Sequence, residues 1–303
     1  MTTIRLSFGF YPKPLRLTSG PVTVEPLPDL DEIVAAMEGS DGTEGNWIYA
    51  PPQQVHTFGG IRTMPYPSRV FGLPKTHIMT HQAADSDDHL TFHLWALSFL
   101  TGMRLTATEA GFLDATPLQP GALVDFVLLG DSLEKGVALA EAFWTANRAD
   151  PRRSQLFAAA VHALFLGQSP RNLQFESFMF LYTAFDACFA LAESLFAPAN
   201  RPSHAKRVVW MCNLFGMATP PWADPIATAA PEVAVIRNAT FHEALFMDQP
   251  LGFALHGVGT NRNLMLEMEA LICRLLVALL GKPKAEYVQS RLDTRSRIGL
   301  DLS

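Results

Sequence analysis

Val233–Phe246 reads VAVIRNATFHEALF, an apolar helical stretch interrupted by Arg237, Asn238 and His242. An arginine stays charged at any physiological pH and a histidine titrates near neutrality, so the two residue types suit phosphodiester chemistry. On a helix that turns about 100° per residue, Arg237 and His242 fall roughly 140° apart, whereas Asn238 and His242, at i and i+4, share a face. One such helix flanks a site without joining its two groups. Two copies packed about a two-fold axis would bring both pairs into one cleft, because an isologous interface doubles whatever lies on it. The plain alternative for R-x-x-x-x-H is a structural ion pair at Arg237 and a helix-ending histidine.

Outward from this stretch the texture is helical. From Asp131 onward, apolar residues recur at helical spacing and predict helices near 131–149, 152–167, 172–196, 202–217, 231–243 and 261–281. Pro151, Pro202 and Pro231 each stand where a helix begins, the position at which a missing N–H costs least. Phe175–Phe196 is the longest apolar run, but Glu176, Asp186 and Glu193 interrupt it, so it reads as a buried core helix and not as a membrane span. Asp186 is the only charge between the two glutamates. A buried carboxylate needs a partner, and the expected one is Arg237, or His242 from the neighbouring helix; the alternative is water at an edge of the bundle. After Lys282 and Pro283, residues 283–303 form a polar C-terminal tail with Arg291, Arg295 and Arg297, expected on the surface, where it docks back or contacts a partner.

The first part of the chain reads differently. Twelve of the 22 prolines precede residue 121, which predicts strands and loops. Ile4, Leu6, Phe8 and Phe10 alternate with Arg5, Ser7 and Gly9, the period-two pattern of a half-buried strand. Shorter strands are expected at Val22–Val24, Trp47–Tyr49, Val55–Phe58 and Leu123–Leu129, with turns at Gly39–Gly45 and Met64–Ser68. One helix interrupts this region near 86–103, capped by Ser86, with Asp87 and Asp88 at its positive end. The fold class is α+β: a strand-rich N-terminal domain over 1–130, an all-α bundle over 131–282, and the tail.

His77, His81, His89 and His93 are four of the nine histidines and fall within 17 residues. Two H-x-x-x-H pairs offer i, i+4 ligands, and imidazole with carboxylate suits zinc or another transition metal. The Glu of H-E-x-x-H is missing, and the plainer reading is a solvated helix start with histidines along a groove.

The net charge of −6 argues against a protein that coats nucleic acid indiscriminately, but the charge is uneven. Residues 1–150 carry 9 Lys+Arg against 17 Asp+Glu (−8), leaving 14 against 12 (+2) for 151–303. Three cysteines in apolar segments form no C-x-x-C pair, and the N-terminus lacks the apolar run of a signal peptide, so a reduced, cytoplasmic setting is expected. No phosphate-cradling glycine loop or nucleophile elbow is present, and no cofactor is expected. Trp210, Trp222 and Phe241 are the aromatics placed to stack on bases, although aromatics at helical spacing are more often core.

The run Arg237-Asn238-Ala239-Thr240-Phe241-His242 resembles the signature of the HEPN superfamily, R-x(4–6)-H with a polar residue, often Asn, after the Arg, in a late helix of a compact bundle. FESFMFLYTAFDACFALAES, RPSHAKRVVWMCNLFG and NRNLMLEMEALICRLLVALLG look like the other helices of that bundle. The strand-rich start followed by helices is similar to the ApeA-like branch, associated with abortive infection and defence against phage. The resemblance covers roughly 131–281. It implies a homodimer that cleaves RNA without a metal: the ribose 2′-OH attacks the adjacent phosphorus, His242 moves a proton, Arg237 stabilises charge on the phosphate oxygens, and Asn238 orients the site. It also implies a trigger, of phage or protein origin, sensed by the N-terminal domain. Two features depart from the family. Many members place glycine after the histidine, where this chain has Glu243, and Ala244–Thr260 intervene before the last helix. A non-catalytic HEPN module that binds RNA, nucleotide or a partner protein is the alternative, and a metal-dependent hydrolase built on the histidine cluster a third.

Overall fold

The computed structural model describes residues 2–68, 70–107, 111–112, 115–224, 231–242, 263–292 and 296–303, with the backbone alone at Val70, Gly111, Phe112 and His242. It is a mixed α+β fold in two compact units, 1–123 with 133–140, and 124–132 with 141–303.

The first unit contains β1 (Thr2–Phe8), β2 (Leu17–Ser19), β3 (Val22–Pro26), α1 (Leu30–Glu38), β4 (Thr43–Glu44), β5 (Trp47–Tyr49), β6 (Pro52–Thr57), β7 (Gly60–Pro67), β8 (Val70–Phe71), β9 (His77–Ala84), α2 (Asp87–Thr101), β10 (Gly111–Phe112) and β11 (Ala115–Pro117). Its main sheet is antiparallel in the order β1-β9-β3-β2. The register sets Met79 opposite Leu6 and Val24, and His81 opposite Ile4 and Val22. Along β9 the alternate residues His77, Met79 and His81 are buried, the period-two signature of one face turned to a core. That core gathers Phe8, Phe10, Val22, Val24, Met79, Leu94 and Leu97. Gly9 is required there, because a Cβ would be driven into the backbone carbonyl of Pro74. Helix α2 starts as its sequence predicts: the Ser86 hydroxyl accepts from the His89 N–H, and Gly102 ends the helix in the left-handed conformation.

Three elements differ from expectation. Helix α1 is a second helix in a region expected to hold one, near 86–103, and it buries only Leu30. Residues 64–67, read as turn, lie in β7, whose hairpin with β6 is solvent-exposed on almost every residue; among the described residues β7 pairs with β6 alone, and such an edge strand tolerates Pro65 and Pro67. His77 and His81 lie on a strand and not at a helix start.

The second unit holds β12 (Phe126–Leu128), the ends of α3 (Ser132–Asn147), α4 (Pro151–Gly167), α5 (Gln174–Phe196), a 3-10 turn (His204–Lys206), α6 (Arg207–Phe215), α7 (Glu232–His242), α8 (Leu264–Leu279), α9 (Glu286–Gln289) and β13 (Ile298–Leu300). Helix α5 is the centre, packed against α4, α8 and α7. Arg153 ties the start of α4 to the end of α5, donating to the Ser194 hydroxyl at 2.9 Å and its carbonyl at 2.7 Å. By length and composition α5 is apolar enough to cross a membrane, yet more than half of its apolar window is buried in the fold, as for a core helix.

The tail is a correction. In place of a surface segment, residues 283–303 include a strand, β13, that pairs in parallel with β12, Leu128 facing Leu300. Tyr287, Val288, Leu300 and Leu302 are buried. Arg274, itself buried, donates to Asp125 Oδ2 at 2.6 Å and to the Ser290 hydroxyl at 3.1 Å, while the Tyr287 hydroxyl donates to Asp125 Oδ1. The apolar pattern of the tail is too short to announce itself, but its residues finish the core.

Candidate functional site

Helix α7 carries the R-x-x-x-x-H stretch at its C-terminal half and begins after Pro231, whose carbonyl accepts from Ala234 and Val235. Val233, Ala234 and Ile236 anchor it in the core, which leaves Arg237 half-buried and Asn238 exposed. Arg237 Nη1 donates to Asn238 Oδ1 at 3.0 Å, so the two polar residues of the motif brace one another. His242 is the last residue of α7. Its side chain, Glu243 and the 244–260 segment lie outside the described residues.

A second histidine, for which the sequence offers no periodic signal, completes the cluster. His204 stands in the 3-10 turn before α6, and its Nε2 is 3.3 Å from Arg237 Nη2. A guanidinium is always a donor, so Nε2 accepts; Nδ1 then carries the proton and donates to the Tyr182 hydroxyl on α5, 2.9 Å away. Tyr182 is buried, and burial above all, with the Asp186 carboxylate adding to it, pushes its phenol up to about 12, against the opposing pull of Arg207 and Arg237. It stays protonated at any working pH. The Tyr182 ring also lies 5.9 Å from the ring of Phe241, a residue 41% exposed. Of the other aromatics marked for stacking, Trp222 is buried and Trp210 packs edge-on to Phe189.

Asp186 does not form the expected ion pair with Arg237. Its carboxylate takes Arg207 Nη1 at 2.7 Å, and the Arg207 guanidinium lies over the Phe189 ring at 4.4 Å. The half-buried carboxylate has a cation, as its burial demands, but the cation comes from α6. Asp186 acts on the Arg237 cluster through its field on Tyr182, while the His242 side chain, its other expected partner, lies outside the described residues.

In the first unit the structure separates the four candidate metal ligands. His77 Nε2 accepts from the Leu15 N–H at 3.2 Å, and its ring stacks on Phe8; desolvation holds it down at about 4, against a weaker opposing hydrogen bond from Lys13. It is a neutral core histidine. His81, from β9, meets His89 and His93, from α2; all four are buried, not set along a solvated groove.

Cysteine chemistry is disfavoured. All three thiols are free and buried, and burial pushes each one up, Cys212 to about 12, so none is a ready thiolate near neutrality. The apolar recess beside α7, lined by Phe185, Val208, Trp222, Val233, Met268 and Ile272, offers no convergent polar group and reads as loose packing.

No known protein family, characterised protein or solved structure matches the chain. The functional reading therefore rests on the residues themselves.

Proposed function

We propose that this protein is a metal-independent endoribonuclease of HEPN type, acting in the cytoplasm as a homodimer in phage defence or toxin-like regulation. The observation that carries the reading is the contact between Arg237 and the His204–Tyr182 pair, on the helix that also bears His242. A fixed cation, a neutral imidazole and a protonated phenol lie in one hydrogen-bonded chain, the groups that bind a phosphate and manage a proton.

In the proposed reaction O2′ bonds to phosphorus and the P–O5′ bond breaks, leaving a 2′,3′-cyclic phosphate and a 5′-hydroxyl. The proton leaving O2′ ends on O5′, carried by His242. Arg237 donates to the non-bridging oxygens as they gain charge, exchanging its neutral acceptors, Asn238 Oδ1 and His204 Nε2, for an anion, the stronger partner. When Arg237 turns to phosphate, the lone pair on His204 Nε2 is released as a second proton acceptor beside the site. Phe241, exposed next to Tyr182, offers a face for a base, a contact worth about 1–3 kcal/mol.

The second reading, a non-catalytic module that binds RNA, nucleotide or a partner protein, is favoured by one observation: both terminal nitrogens of Arg237 are already engaged, as a fixed binding face requires. Single-stranded RNA separates the two. Cleavage that persists in chelator and disappears in Arg237→Ala and in His242→Ala supports the nuclease. Saturable binding without cleavage supports the module, and an activity abolished by chelator in a chain that stays folded belongs to a metal-dependent hydrolase.

A further inference from the structure

His81, His89 and His93 are 1%, 3% and 1% exposed, and each offers a nitrogen within 4.8 Å of the others. Their ring centroids are 4.3 Å apart for His81–His89, 5.3 Å for His89–His93 and 5.6 Å for His81–His93. We infer that these three imidazoles bind one divalent transition cation of the zinc class, which staples strand β9 to helix α2 within the first unit.

Three buried imidazoles carry a cost. Each neutral ring keeps one N–H and one lone pair, and enclosing both away from water is unfavourable unless each meets a partner. Apolar side chains would fill the same space with no such demand, as Leu94 and Leu97 do on the same helix. A cation turns the demand into a gain, because imidazole is a favoured ligand for zinc and its neighbours in the series.

The scaffold fits that role. His89 and His93, at i and i+4 of a capped helix, share one face. His81 is on the face of β9 that is buried, with Ile4 and Val22 opposite it on the flanking strands. Tetrahedral bonds of about 2.0–2.1 Å place ligand nitrogens roughly 3.3 Å apart, so the three nitrogens need draw in by no more than about 1.5 Å, a rotation of the rings on a fixed backbone.

Hydrogen bonds to the rings bear on how the cation is held. His89 Nδ1 lies 3.3 Å from an Asp85 carboxylate oxygen. A carboxylate beside a ligating imidazole orients the ring and raises its basicity, the carboxylate–histidine arrangement of metal centres. The Ala83 N–H donates to His81 Nδ1 at 3.1 Å, so that ring holds its own proton on Nε2 without metal, and uptake displaces either the proton or the backbone contact. The three rings are almost wholly shielded from solvent, which makes the site structural. An oxygen donor completes the coordination.

The test uses the full chain, stripped with chelator and titrated with Zn²⁺ and with Co²⁺. One equivalent per chain is expected, with the visible bands of tetrahedral Co²⁺, a higher melting temperature in Zn²⁺, and X-ray absorption of the zinc form showing three imidazole ligands at about 2.0–2.1 Å. His89→Gln and His93→Gln should each weaken Zn²⁺ binding at least about tenfold, by analogy with losses at ligand-supporting positions. His56→Gln, on the exposed hairpin strand β6, should not. No saturable uptake by the folded wild type, fewer than three imidazoles in the absorption data, or unchanged binding in a folded His93→Gln chain overturns the site. So does loss of binding in His56→Gln. If the ligand variants fail to fold, the wild-type titration and absorption data decide alone.

Discussion

Arg237 donates to Asn238 Oδ1 and to His204 Nε2, and it dictates the His204 tautomer, which is passed on to Tyr182. Tyr182→Phe removes the acceptor for the His204 Nδ1–H and should lower RNA cleavage about tenfold, the kinetic equivalent of one hydrogen bond of roughly 1.4 kcal/mol. Rates unchanged from wild type, in a chain of unchanged melting temperature, would remove the pair from the site. Arg237 was legible because an arginine followed by asparagine breaks an apolar helix. His204 was not, because it reaches Arg237 from 33 residues away and lies in no periodic pattern. Asp186 was half legible: its lone charge in α5 announced a partner, but only the packing of α6 on α5 could make that partner Arg207.

At the scale of elements, the long helices of the second unit could be read because their apolar spacing persists over several turns. The H-x-x-x-H spacing was ambiguous for a physical reason. Residues i and i+4 share a face on a helix and on a strand alike, so His77 and His81 could sit on β9 while His89 and His93 sit on α2 with the same spacing. Helix α1 was hidden by its shortness, by Pro26 and Pro28 just before it, and by burying only Leu30. Capping was read correctly at Ser86, and it carries a prediction: Ser86→Ala loses the acceptor for the His89 N–H and should cost about 1 kcal/mol, seen as a lower melting temperature of the first unit. A melting temperature unchanged from wild type would mean that water caps α2 equally well.

At the scale of the molecule, the C-terminal tail is part of the second unit's core. Deleting residues 296–303 unpairs β12 and removes buried Leu300 and Leu302, which should destabilise the chain by about 3–6 kcal/mol at roughly 1.5–3 kcal/mol per buried leucine. Denaturant unfolding measures it, and a loss below 1 kcal/mol would contradict the packing described. The same region sets a pH dependence. Burial, then the Asp125 charge, raise Glu269 from 4.5 to about 7, with Arg297 opposing. Between those values the folded chain holds more protons at Glu269 than the unfolded chain. Its stabilising contribution is therefore complete below about pH 4.5 and is lost as pH rises through about 7. Glu269→Gln, neutral throughout, should raise stability at about pH 8 by roughly 1–3 kcal/mol and change it little near pH 4.

The central claim is that Arg237 and His242 cut RNA without a metal. The measurement is cleavage of a single-stranded RNA by the wild-type chain in excess chelator, below the melting temperature of the chelated protein, beside Arg237→Ala and His242→Ala. The account predicts products ending in 2′,3′-cyclic phosphate from the wild type, at least about 10²-fold less from either variant, and none from DNA of the same sequence. Full activity in a folded Arg237→Ala or His242→Ala chain, or cleavage of DNA at a comparable rate, would contradict it.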